Sequence, residues 1–133
     1  AYRSILATAH AMKSGRIVGV ITAPGDRRDA DLKELAQLCA QELDEIVVYE
    51  TVDYRGRQPG ELLSILHTSA LASARETTPV HAVSGVHEAV LMGFQRCVPG
   101  DILLVGGATN VNDLQLITEQ PDFNIEGAAK VSN

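Results

Sequence analysis

Tryptophan is absent from the 133-residue sequence, which carries only two phenylalanines and three tyrosines. A core so poor in aromatics has to be filled by aliphatic side chains, a composition that suits strands buried on both faces by helices. Cysteine is scarce too. Cys39 and Cys97 stand far apart, each in an apolar helical stretch, and no Cys-x-x-Cys occurs. That argues against a disulfide scaffold or redox pair and suits buried free thiols in a reducing, cytoplasmic setting. No apolar run approaches the roughly 20 residues that span a bilayer, and the first residues lack the continuous apolar core of a signal peptide. No membrane partner is expected. Basic excess is also missing: the net charge is -6, whereas neutralising nucleic-acid phosphates requires a basic surface. Nucleic acid is therefore not an expected partner either.

Several chemical signatures are absent as well. No Gly-x-Gly-x-x-Gly follows any candidate strand, which disfavours a nicotinamide or flavin site. No Gly-x-x-x-x-Gly-Lys-Ser/Thr is present, so the chain cannot cradle and activate a nucleotide unaided. There is no Gly-x-Ser-x-Gly elbow. No second histidine stands at metal spacing from His87, so no metal ligand is expected.

What remains is an alternation of two periodicities. Residues 1–14 place Ile5, Leu6, Ala9 and Met12 at helical spacing, and Gly15 ends the run. IVGVITA at 17–23 is a short β-branched run, the mark of a buried strand. Residues 30–43 align Leu32, Leu35, Ala36, Cys39 and Leu43 on one helical stripe, with Asp29 as the expected N-cap and Asp31 in the first turn. EIVVYE at 45–50 is a second strand and 60–74 a second crossover helix. A third strand at 80–83, a third crossover helix at 86–98 and a fourth strand, DILLV at 101–105, complete the pattern. The Gly- and Asn-rich stretch from Gly106 gives no clear reading.

Apolar strands joined by amphipathic helices predict one α/β domain over 1–133, a Rossmann-like three-layer sandwich with a mostly parallel sheet. The start at Ala1 without methionine suggests a piece of a longer multi-domain chain.

In such sheets ligands bind beyond the carboxyl ends of the strands. The loops at 24–29, 51–59, 84–88 and 106–112 should therefore carry the chemistry. The first contains Gly25, Asp26, Arg27, Arg28 and Asp29. Its arginines offer planar forks of donors to phosphate or carboxylate, and a helix amino terminus faces the same space. The plainer alternative is a capped turn whose arginines pair with Asp29, Asp31 or water. The second loop carries Asp53, Arg55 and Arg57 around Gly56. Two arginines flanking a glycine can clamp an anion, or simply form a solvated turn. In the third, His87 and Glu88 open a helix as accessory groups, whereas His10, His67 and His81 read as packed or solvated.

The runs GRIVGVITAPGDRRDADLKELAQLCAQELDEIVVYE, DYRGRQPGEL and HEAVLMGFQRCVPGDILLV resemble the carboxy-terminal domain of Mur-type ligases, and within them the cyanophycin synthetases. The resemblance covers about residues 16–105, and Gly-Asp-Arg-Arg-Asp with Arg-Gly-Arg is its specific part. It implies the last of three domains, with the ATP-binding loop on a preceding central domain of the same protein that would hold ATP and Mg2+. The family phosphorylates a carboxylate to an acyl phosphate, which an incoming amine attacks to form an amide.

The resemblance places Asp26, Arg27, Arg28 and Asp29 in an acidic–basic loop facing ATP. It places Asp53, Arg55 and Arg57 where the muropeptide ligases recognise the added amino acid with Asp-Asn-Pro-Arg. Here the arginines fall two and four residues after Asp53 instead of three, a form that looks like cyanophycin synthetase, whose Mur-like portion adds arginine. SGVHE replaces a more acidic segment, and the tail from Gly106 departs from the pattern.

The expected function is thus the carboxy-terminal domain of an ATP-dependent amide ligase, inactive when isolated. It would close over ATP and acyl phosphate and present the amino-acid substrate. A non-catalytic ligand-binding or regulatory module is the alternative, and a homo-oligomer is left open.

Overall fold

The computed structural model describes residues 2–12, 15–106 and 128–131. Helix α1 (Tyr2–Met12) leads into strand β1 (Ile17–Ile21), and α2 (Asp29–Glu42) crosses to β2 (Glu45–Glu50). Helix α3 (Glu61–Ser73) crosses to β3 (Val80–Ser84), α4 (Val86–Arg96) returns to β4 (Ile102–Gly106), and β5 (Ala128–Val131) follows. The sheet runs β3-β2-β1-β4-β5 with every neighbouring pair parallel. Rossmann-like α/β architecture is what the alternating periodicities predict. The fifth strand was not legible in the tail.

Two expected details differ. Arg28, not Asp29, is the N-cap of α2; its backbone is extended (φ -69, ψ 151), it makes no side-chain cap bond, and Asp29 is already helical. The first strand ends at Ile21 instead of continuing to Ala23. Beyond it the chain turns toward the Pro24 bend, where the Arg27 amide donates to the Pro24 carbonyl.

Alternation along the strands divides the core in two. Ile17, Ile21, Ile46, Val48, Ile102 and Leu104 face α1, α2 and α3, where Leu6, Leu32, Ala36, Leu62 and Leu66 cover them. Val18, Val20, Val47, Tyr49, Leu103 and Val105 face the opposite way, toward Ala89 and Val90 of α4. Each fully buried aliphatic side chain contributes about 1.5–3 kcal/mol, so both faces are held mainly by burial. Two glycines permit the close approach. A Cβ on Gly19 would lie 2.3 Å from Leu43 Cδ1, and one on Gly93 would lie 2.4 Å from Val20 Cγ2.

The order β3-β2-β1-β4 means that the chain moves outward through β2 and β3, then doubles back through α4 to β4. The topological switch point, where open parallel sheets bind ligands, therefore lies at the carboxyl ends of β1 and β4. Tyr49, the largest fully buried side chain, ties that edge together. Its hydroxyl donates to the Gly106 carbonyl at 2.8 Å, while its own carbonyl accepts from Thr22 Oγ1 at 2.7 Å.

The opposite edge holds a charged cluster. Glu45, fully buried, is met by Arg16, Arg96 and His81, and Asp101 binds Arg16. Among the described residues no helix is long and apolar enough to cross a membrane.

Candidate functional site

The loop after β1 is short, and only its first residues, 22–25, are covered. Gly25 is buried, and a Cβ there would lie 2.4 Å from the Tyr54 carbonyl oxygen in the loop after β2. The glycine is therefore required by the approach of one loop to the other. Asp26, Arg27, Arg28 and Asp29 are all exposed. Arg28 turns back onto its own helix, with Nε and Nη2 each 3.0 Å from an oxygen of Asp31. This bidentate pair raises the Arg28 pKa and lowers that of Asp31, chiefly through the hydrogen bonds themselves. The plainer alternative, an arginine pairing within its turn, describes Arg28. Arg27 makes no side-chain hydrogen bond or ion pair within the described residues.

In the loop after β2 the backbone turns through positive φ at Arg55 (49°), Gly56 (90°) and Gly60 (87°). Left-handed backbone at a non-glycine is uncommon, so Arg55 is held by its contacts. Its Nε lies 3.2 Å from Asp53 and its Nη1 3.3 Å from Asp26, which bridges the two loops. Those two carboxylates, Asp53 first, raise the Arg55 pKa.

Arg57 has a different environment. Its side chain is only 13% exposed. Nε donates to the Gly25 carbonyl at 2.8 Å, and Nη2 donates to the Arg27 carbonyl at 2.8 Å and to Asp29 at 2.7 Å. Nη1 donates to Glu61 in the first turn of α3. Four of the five N–H groups of the guanidinium are thus engaged inside the protein, and the hydrogen bonds it donates to Asp29 and then Glu61 raise its pKa.

Glu50 ends β2 and is buried, and its carboxylate accepts from the Gly60 and Leu63 amides at 2.7 and 3.1 Å. The start of α3, where Gly60 supplies no side chain, is capped from the preceding strand. Sequence reasoning missed this residue. A carboxylate closing an otherwise apolar, doubly covered strand was the signal, because a buried charge needs donors.

The third loop joins the same edge through the Gly85 amide, which donates to the Glu50 carbonyl at 3.2 Å. His87 and Glu88 follow in the first turn of α4, both exposed. Of the fourth expected loop, only Gly106 lies within the described residues. The structure therefore brings the first two loops into direct contact and the third beside them. Among the described residues no group of three His, Cys, Asp or Glu is placed to hold a metal ion.

The family model of the Mur ligase glutamate ligase domain matches residues 1–109. The chain belongs to the Mur ligase family. Within the relatives of this Mur ligase domain are cyanophycin synthetases. That of Crocosphaera subtropica is 29% identical over 106 residues, which cover 80% of this chain and 12% of the relative. That of Synechocystis sp. is 50% identical over 52 residues, or 39% of this chain and 6% of the relative. The chain thus spans a small fraction of the length of the curated relatives it matches. A solved UDP-N-acetylmuramoyl-L-alanyl-D-glutamate–2,6-diaminopimelate ligase superposes with a TM-score of 0.65 at 17% identity, covering 77% of this chain and 20% of its own. That likeness concerns the fold. The expected family and architecture are the ones found.

Proposed function

We propose that this Mur ligase domain is the carboxy-terminal part of an ATP-dependent amide ligase of the cyanophycin synthetase kind. In this role it closes over ATP and an acyl phosphate and presents the amino-acid substrate. The observation that carries the reading is the pair of charged loops at the carboxyl edge of β1 and β2, joined so that the Arg27 side chain is exposed and makes no hydrogen bond or ion pair among the described residues.

A guanidinium that makes no side-chain hydrogen bond or ion pair among the described residues is available to a phosphate group, and domain closure would bring it to one. Bound ATP supplies the phosphoryl group that activates the acid. The chain has no phosphate-cradling loop, so its residues fit an added contact and not the main hold; Mg2+ belongs with the preceding central domain. Arg27 faces the phosphates with Asp26, Arg28 and Asp29 around it, and Arg28 stays paired with Asp31 as the anchor of that turn. Asp53 and Arg55, exposed on the second loop, offer one group of each sign to an incoming amino acid, whose amine and carboxylate carry the opposite signs. His87 and Glu88 border the same edge as accessory groups.

The test is steady-state amide synthesis by the longer ligase chain carrying Arg27→Ala. Loss of a charge-stabilising donor of this kind lowers turnover on the order of 100-fold. The unfolding midpoint should not move, because the Arg27 side chain is exposed and makes no described hydrogen bond. Near-normal synthesis would overturn the reading. Micromolar nucleotide binding by the isolated domain would instead favour a binding module.

A further inference from the structure

The two arginines of the second loop, alike in sequence, differ in what they have left to offer. A substrate carboxylate or phosphate recognised by arginine takes two parallel N–H groups from one edge of the fork. Arg57 has one N–H free, and its side chain is 13% exposed. Two of its bonds go to backbone carbonyls, those of Gly25 and Arg27, which flank Asp26 in the first loop. The first loop has few holds of its own. Its backbone bonds are the Arg27 amide to Pro24 and the Asp31 and Leu32 amides to the Arg28 carbonyl.

Arg57, in turn, is anchored twice. Its amide donates to Tyr54 at 3.1 Å, and its Nη1 meets Glu61 on α3. Helix α3 is fixed to the core by Leu62, Leu66 and Ala70. The chain of contacts runs from a packed helix, through Arg57, to the backbone of the loop that carries Arg27. Nη2 of Arg57 also holds Asp29, the first residue of α2, so the starts of α2 and α3 are joined.

We infer that Arg57 is a positioning residue and not a substrate ligand: its fork fixes the backbone of residues 25–29 so that Arg27 is presented outward. This rests on the phosphate-facing role proposed for Arg27. Arg57 also ties the backbone of the first loop to the start of α3. Lysine cannot replace it. An ammonium is a single point of donors and cannot reach two carbonyls and two carboxylates arranged around a planar group.

The experiment uses the longer ligase chain with Arg57→Lys, Arg57→Ala, Arg27→Ala and the Arg27→Ala/Arg57→Ala double variant. Amide hydrogen exchange and turnover are both measured. Both Arg57 variants should speed exchange in residues 25–29 at least ~10-fold, since a loop freed of its holds opens locally. Peptides from β1 and β4 should stay protected, which shows that the fold is intact. Turnover should fall about 10-fold in Arg57→Lys, and Arg57→Ala should add less than about 2-fold in the Arg27→Ala background, because residues acting through one another are non-additive.

A full 10-fold loss in that background would show that Arg57 acts independently of Arg27 and would overturn the inference. Unchanged exchange in Arg57→Lys would overturn it with no reference to activity. Normal turnover in Arg27→Ala alone, with a loosened loop in the Arg57 variants, would instead remove the proposed role of Arg27 and the presentation argument together with it.

Discussion

Glu45 has no exposed side-chain surface and sits at the amino end of β2, far along the strand from the charged loops. Its Oε1 accepts from Arg16 Nη1 at 3.1 Å, its Oε2 lies 2.7 Å from His81 Nε2, and Arg96 Nε donates to the same oxygen. Burial pushes its pKa up, yet hydrogen bonds from Arg96, His81 and Arg16 outweigh that and hold the carboxyl below its usual value of 4.5. The folded protein therefore favours the carboxylate more than water does, so ionisation of Glu45 adds to stability.

Removing one partner of a buried ion pair costs about 3–5 kcal/mol when the other is left stranded. Here Arg16 and Arg96 keep 42% and 49% of their side-chain surface and can return to water. Glu45→Ala should therefore cost less, about 2–3 kcal/mol. With a urea slope of about 1.5 kcal/mol/M, the unfolding midpoint falls by roughly 1.3–2 M. Arg96→Ala leaves Glu45 with Arg16 and His81 and should cost only about 1–2 kcal/mol. A Glu45→Ala loss below about 1 kcal/mol, or a larger loss in Arg96→Ala, would mean that burial cancels the pairing and would refute this account.

Acid supplies a second check on the same residue. A carboxylate whose pKa is depressed by folding adds stability above its unfolded value of 4.5, and that stability is lost as pH falls through the lower, folded value. The gap in stability between the native protein and Glu45→Gln should thus be widest near neutrality and shrink below about pH 4.5. A gap that widens on acidification contradicts it.

Gly93→Ala should destabilise by about 1–3 kcal/mol through overpacking, although alanine is the better helix former by about 1 kcal/mol. The added Cβ would lie 2.4 Å from Val20 and 3.0 Å from Leu103, and urea unfolding showing a gain in stability would contradict that packing. Burial pushes the Cys39 and Cys97 thiols up to about 12, with Asp101 adding to the effect at Cys97. At pH 8 the thiolate fraction is then on the order of 10⁻⁴, so iodoacetamide should label both slowly until urea unfolds the chain, with the partly exposed Cys97 ahead. Labelling of the folded protein at the rate of a free thiol would show that the burial is wrong.

The strands IVGVI, EIVVYE and ILLVG were legible because each is a short β-branched or aliphatic run between turn residues, and all are buried along their length. The edges were less so. Strand β3, expected at 80–83, pairs only with β2 among the described residues and holds intermediate and exposed positions, while AAKV of β5 has no apolar run to announce it. A strand at the rim needs little hydrophobicity, since one of its neighbours is missing. The helix start at Asp29 was misplaced by one residue because an aspartate preceding an apolar stripe is the usual N-cap signal. Here Asp29 is the first helical residue and is held by Arg57, which lies 28 positions on.

The location of the charged loops followed from topology, but the division of labour within them did not. In sequence Arg27 and Arg28 are adjacent, as are Arg55 and Arg57 across Gly56, and each pair reads as two equal donors. Folding makes them unequal through partners that lie far apart in the chain. Arg28 takes Asp31, Arg55 takes Asp53 and Asp26, and Arg57 takes Asp29 and Glu61. These pairings consume most of the local carboxylates and leave Arg27 without an ion pair among the described residues. The spacing of arginines after Asp53, the feature that departs from the muropeptide ligases, follows the same logic. Arg57 spends its donors on the first loop and Glu61, whereas Arg55, half-exposed, engages only Nε and Nη1. Counting donors still free, and not arginines present, is what separates a binding group from a structural one.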